Sequence, residues 1–184
     1  MGDALRLRTA RLLTDYLEYC ARRPGTVAQP PSTREAALLR SVAAQVRQRH
    51  LLLWSRYRGY RGNRVELVAR AAQEILPDRG VPTWGLVVVL VTFTGILLER
   101  PPSGHTWELK EWDDSVDRDC QSLVTLLCDW LTGPHRSWLE VEDGWDGFCD
   151  AFTPAVVSWS RMLVQVLLSC LMATILTYLW TKLL

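Results

Sequence analysis

The sequence has few of the groups that chemistry needs, and none of them stands in a catalytic arrangement. Its three histidines, His50, His105 and His135, are scattered, with no HxxxH or HExxH spacing to place two imidazoles on one helix face. No glycine-rich loop follows a strand-like segment, which removes the usual phosphate cradle of nucleotide enzymes. The five cysteines (Cys20, Cys120, Cys128, Cys149, Cys170) are odd in number and show no CxxC pair. Neither a zinc site nor a disulfide framework is expected from them, and free thiols imply a reducing compartment. The N-terminus, MGDALRLRTARLL, carries charges throughout and offers no uninterrupted apolar stretch, so no secretory signal is read there. Net charge is +1, which argues against a nucleic-acid binder and against a disordered acidic tail. RYRGYRGNR (56–64) interleaves arginine, glycine and tyrosine as RNA-binding segments do, but four arginines in one interhelical loop more often form a solvated turn. No enzyme, cofactor, metal ion or nucleic acid is expected.

What the chain does have is uncharged runs. Residues 84–98, WGLVVVLVTFTGILL, contain no charge, and a helix of that length spans about 22 Å, short of a bilayer. Thr83 is placed to cap it, and Glu99, Arg100, Pro101 and Pro102 end it. Its β-branched residues would suit a buried strand, yet no other segment looks like a partner strand. The spacing therefore predicts a central helix, apolar on all sides and enclosed by protein.

The second run, residues 162–180, has nineteen uncharged residues and would reach about 28 Å as a helix, close to the bilayer hydrocarbon thickness. Met162, Leu168, Leu171, Ile175 and Trp180 lie along it; Arg161 precedes it, Lys182 follows it, and Tyr178 and Trp180 stand at interface depth. A buried core helix in so small a domain would keep one polar stripe, so the expectation is a transmembrane tail anchor over 159–184 behind a cytosolic domain over 1–158.

Amphipathic segments surround the central one. Leu5, Leu12, Leu13, Tyr16, Leu17 and Cys20 share a face, and Ser32 or Thr33 caps a helix over 34–54 with Leu39, Val42, Val46, Leu53 and Trp54 in a slanting stripe. A third runs over 65–76, and a fourth over 115–131 carries Val116, Cys120, Leu123, Val124, Leu127 and Leu131. A last short helix begins near Gly144 and Trp145. The fold class is all-α: seven or eight helices, one of them central, plus the tail.

The segments TWGLVVVLVTFTGILLE and WLEVEDGWDGFCDAF resemble the first and second homology regions of the Bcl-2 family of apoptosis regulators, LLTDYLEYC resembles the fourth, and the tail fits as well. GWDGFC and the short first loop resemble one particular branch of that family. The resemblance implies a Bcl-2-like bundle whose hydrophobic groove receives the amphipathic homology-3 helix of a death-promoting partner. It would place Val46, His50, Trp54, Ile75, Gly85, Leu86, Val89 and Phe93 on the groove, with Trp84, Gly95, Trp138, Gly144 and Trp145 as structural residues. The implied partners are pro-apoptotic members, both Bax/Bak-like and homology-3-only, and beclin-like autophagy proteins. The implied location is the mitochondrial outer membrane or the endoplasmic reticulum, with the domain in the cytosol.

Two departures from the family pattern bear on function. Where the family has Asn-Trp-Gly-Arg, this chain has Thr83-Trp84-Gly85-Leu86, so the arginine that pairs with a partner aspartate is missing. Arg79 or Arg64 could stand in for it, and the expected result is a narrower or weaker clientele. Where executioners carry Leu-x-x-x-Gly-Asp, this chain has Leu39, Ala43 and Ala44. Ala44 cannot form the ion pair, which favours a survival-promoting member. The rival is a pore-forming executioner, but Asp113, Asp114, Asp117 and Asp119, expected at the start of the next helix, would make insertion costly.

Overall fold

The computed structural model describes residues 3–23, 25–75, 81–100 and 106–153. Eight helices and no strand occur among the described residues: α1 (Ala4–Ala21), α2 (Arg34–Arg49), α3 (Leu51–Ser55), α4 (Arg64–Ile75), α5 (Trp84–Leu98), α6 (Thr106–Thr132), α7 (Arg136–Val141) and α8 (Gly144–Phe152). Helix α5 is the axis of the bundle and packs against α1, α2, α4 and α6. Every residue of α5 except Gly85 is buried. The Thr83 hydroxyl accepts from the Leu86 N–H and caps the helix, and the chain turns extended at Glu99. Two threonines inside α5 would bring unpaired hydroxyls into the core. Instead Thr92 donates to the Val88 carbonyl at 2.7 Å and Thr94 to the Leu90 carbonyl at 2.8 Å, which satisfies them within the helix.

The wrapping helices bury the faces that their periodicity marks. Leu12, Leu13, Tyr16, Leu17 and Cys20 of α1 are buried, while Leu5 is half-buried. Gly95 is where α1 and α5 come closest: a Cβ there would lie 2.7 Å from Cys20 Sγ and 2.9 Å from Tyr16 Cε1. Thr33, not Ser32, caps α2 by accepting from the Ala36 N–H; the Ser32 N–H donates to Asp15 instead, at 2.8 Å. Arg40 meets the same Asp15 at 2.7 Å in a nearly buried pair and also donates to the Gln29 carbonyl, which ties the first loop to α1.

Three boundaries differ from the sequence reading. The helix expected over 34–54 breaks at His50, whose backbone (φ −129°, ψ 36°) separates α2 from α3. Helix α6 begins at Thr106 rather than Ser115, so Asp113, Asp117 and Asp119 lie within the helix rather than at its start. Asp113 pairs with Arg100 at 2.8 Å and Arg23 at 3.2 Å, and Asp119 pairs with Arg64. Helix α7 was not anticipated as a separate element. The expected end of the 65–76 helix at Leu76, and the tail with Met162, Leu168, Leu171, Ile175 and Trp180, lie outside the described residues. Among the described residues no helix is long and apolar enough to cross a membrane.

Candidate functional site

The first turn of α5 is the one part of the central helix that reaches the surface. Gly85 is half-buried, and Leu86 and Val89 each keep 8% exposure, whereas the rest of α5 keeps 5% or less. Residues 85, 86 and 89 share one helix face, so this residual exposure forms a single edge. Ile75 of α4 is buried at 5% exposure, and Val46 near the end of α2 is half-buried.

Farther along α5 the same side is closed. Phe93 is fully buried beneath Trp54, whose ring centroid lies 6.3 Å away, and Tyr57, which meets it edge-on at 5.1 Å. Trp54 in turn donates from Nε1 to the Val46 carbonyl at 3.3 Å. The structure thus brings Val46, Trp54 and Phe93 together, but as packed core and not as an open wall. His50 is half-buried, and its carbonyl accepts from the Leu53 and Trp54 N–H groups, so it acts as the joint between α2 and α3. The sequence reading missed Leu51 and Leu52 on α3, which are 64% and 88% exposed. Leu51, Leu52 and Leu53 stand in a row, and three consecutive leucines cannot all lie on one buried helix face, which was the available signal.

The segment from 51 to 57 is fastened at its two flanks to one carboxylate. Arg47 and Arg58 both pair with Glu99, the latter at 3.2 Å. Burial pushes the Glu99 carboxyl up, and the two guanidinium groups pull it back toward the charged form.

At the opposite side of the α5 start, Trp84 enters an aromatic cluster with Trp138 (4.9 Å), Trp145 (5.4 Å) and Phe148 (5.4 Å). Trp145 is fully buried and donates from Nε1 to the Thr9 hydroxyl at 2.9 Å, so it fixes α8 on α1. Asp143 and Gly144 both adopt left-handed backbone (φ 58° and 56°), a turn that glycine tolerates and that swings Trp145 inward. Trp84, Gly95, Trp138, Gly144 and Trp145 are therefore packing and turn residues.

Of the two expected substitutes for the missing arginine, Arg64 does not face the α5 edge. Arg64 is 3% exposed: it donates to the Leu97 carbonyl at 3.0 Å, pairs with Asp119 and stacks on Trp112 at 4.2 Å. Arg79 lies outside the described residues. Among the described residues the thiols carry no sign of nucleophile activation: burial pushes Cys20 up to about 12 and Cys120 up to about 11.

Comparison with known proteins agrees with this geometry. Residues 32–145 match the model of the apoptosis regulator proteins of the Bcl-2 family. The chain is 54% identical to human Bcl-2-like protein 10 over 194 residues, covering all of this chain and 95% of that one. It is 30% identical to the anti-apoptotic protein NR13 of Gallus gallus over 156 residues, covering 83% and 80%. The solution structure of a divergent Bcl-2 protein superposes with a TM-score of 0.69 at 39% identity, covering 85% of this chain and 95% of that one. The zebra-fish pro-survival protein NRZ, solved in complex with a Bad BH3 segment, superposes at 0.61 with 26% identity, covering 81% and 95%. The branch marked by GWDGFC and the short first loop is that of Bcl-2-like protein 10, and the chain belongs to the Bcl-2 family of apoptosis regulators.

Proposed function

We propose that the chain promotes survival by sequestering pro-apoptotic family members, binding their amphipathic homology-3 helix along the edge formed by Gly85, Leu86 and Val89. The observation that carries this reading is that the otherwise enclosed central helix keeps exposure only on that face. Gly85 lets a partner backbone approach closely, and Leu86 and Val89 supply an apolar floor. Ile75, Val46 and His50 would form the walls; Trp54 and Phe93 would be reached only if α3 moved. The description of NR13 as anti-apoptotic and the capture of a Bad segment by NRZ support the same sign and the same type of partner. So does α2: Leu39 and Ala43 are turned into the core at 1% exposure each, so the helix serves as wall rather than donor. The protein acts by binding and not by covalent chemistry. Residues 159–184 would anchor the domain, 1–158, to the mitochondrial outer membrane or the endoplasmic reticulum.

Leu86 stands where a typical member places its ion-pairing arginine, and losing one side of such a pair costs about 2–5 kcal/mol. Fluorescence anisotropy with labelled homology-3 peptides on residues 1–158 tests the reading. Some peptides should bind at sub-micromolar Kd, and Leu86→Arg should tighten them by about tenfold or more. Absence of binding by both proteins would overturn it.

A further inference from the structure

We propose that the cavity where the C-terminal ends of α1, α2 and α5 meet is a binding site for a phosphate monoester. This cavity, about 240 Å³, is lined by Arg22, Arg47, Arg58 and Arg100, and among its described lining residues Glu99 is the one carboxylate. Four guanidinium groups thus arrive from four separate stretches of chain around Glu99, with Asp113 meeting Arg100 from one side. A concave site lined by one sign of charge concentrates counter-ions.

Glu99 does not use every donor of the cluster, and Arg100 keeps one that no acceptor meets. Glu99 is shared: Arg47 pairs with one of its oxygens and Arg58 lies 3.2 Å from the other. That second oxygen, Oε2, is buried without a hydrogen-bond partner, so the Arg58 contact is electrostatic rather than well aligned. Arg100 donates from one terminal nitrogen to Asp113 at 2.8 Å, while its Nε is buried with no hydrogen-bond partner. A buried guanidinium N–H with no acceptor is costly unless something fills the place. Arg22 leans on the Tyr19 ring at 4.1 Å and donates to the Tyr19 carbonyl, which holds its guanidinium over the mouth.

The donor set selects the ligand class. Planar arginine forks match the paired oxygens of phosphate, and this chain contains just two lysines against nineteen arginines. A phosphate monoester brings a charge of about −1.5 to −2 and three acceptor oxygens, enough to engage Arg22, Arg58 and Arg100 together. A carboxylate would bring one charge and would duplicate Glu99.

Isothermal titration of the full chain in non-ionic detergent, with glycerol 3-phosphate and with dihexanoyl phosphatidate, tests the site. Saturable one-to-one binding is expected, weakened about tenfold or more in the double variant Arg22→Gln, Arg58→Gln, with thermal melts confirming that the variant folds. Glu99→Gln removes the competing carboxylate and should tighten binding severalfold. Glu66→Gln, an equal charge change in an exposed pair on α4, should leave it unchanged. Tighter binding of phosphatidate than of glycerol 3-phosphate would assign the site to a lipid headgroup, and equal binding would assign it to a soluble phosphate. No saturable binding of either probe, binding unaffected by the double variant, or an equal response to Glu66→Gln and Glu99→Gln would overturn the proposal.

Discussion

Gly95 shows how one residue sets the distance between two helices. Its missing side chain lets Cys20 Sγ and the Tyr16 ring lie against the α5 backbone, where a methyl group would come within 3 Å of both. Tyr16 and Cys20 belong to a packed face with no room to retreat, since Leu13 and Leu17 beside them are fully buried. Gly95→Ala is therefore expected to lower unfolding free energy by about 1–3 kcal/mol, the usual cost of overpacking. Urea denaturation would measure it, and an unchanged midpoint would show that α1 can shift outward freely. Other single-residue features were not legible in advance. Arg64 looks in sequence like one more solvated loop arginine, yet it is buried because Asp119, the Leu97 carbonyl and Trp112 converge on it from α5 and α6. Only the tertiary arrangement supplies those partners. Glu99 reads as a helix stop, and its role as the shared partner of Arg47 and Arg58 depends on three distant segments meeting.

At the scale of elements, the bounds of α5 agree with the sequence reading because every local signal agreed: a threonine cap, an uncharged run, then charge and two prolines. The split of α2 from α3 had no such marker, since RQRHLLLW contains neither proline nor glycine. The break at His50 fits the seating of Trp54 and Tyr57 on Phe93 and the fastening of Arg47 and Arg58 to Glu99. The early start of α6 was hidden because Glu108, Glu111, Asp113 and Asp114 interrupt any apolar stripe before Val116. The groove residues were legible only through the family resemblance. Periodicity marks Val46, Ile75 and Phe93 as apolar, and it cannot say that α3 closes over Phe93.

Helix α1 makes an element-scale prediction of its own. Arg8 bridges Glu35 of α2 at 2.5 Å and Asp146 of α8 at 2.7 Å, which ties three helices together at their N-terminal ends. The Arg8 hydrogen bonds hold the carboxyls of both Glu35 and Asp146 below their ordinary values of 4.5 and 3.8. A carboxyl depressed in the folded state contributes stability above its unfolded pKa and loses it as pH falls through the folded value. Thermal stability should accordingly fall as pH drops below about 4.5, and Arg8→Ala should flatten that part of the profile. The neutral-pH effect of the variant should be modest, because Arg8 and Asp146 stay in contact with solvent and such pairs contribute about 0–1 kcal/mol. Calorimetry between pH 3 and 7 on both proteins checks the sign; an identical slope would place the acid sensitivity elsewhere.

The whole molecule shows one contrast: a core helix enclosed everywhere except at its first turn, within a fold whose relatives include a pro-survival protein bound to a Bad segment. Charge and aromatic packing fix the back of the bundle, through Arg40 with Asp15, Arg64 with Asp119 and the Trp84 cluster. The front depends on α3, a short helix that exposes two leucines and is fastened at its flanks. Binding that extends beyond the Gly85–Val89 edge would have to lift α3 from Phe93, so affinity should depend on how readily that segment opens. The most direct test is chemical-shift mapping of a Bad homology-3 peptide onto isotope-labelled protein. Large perturbations are expected at Gly85, Leu86, Val89, Val46 and His50, with further shifts across 51–57. Perturbations confined to the exposed faces of α1 and α6, with the α5 edge silent, would contradict that expectation.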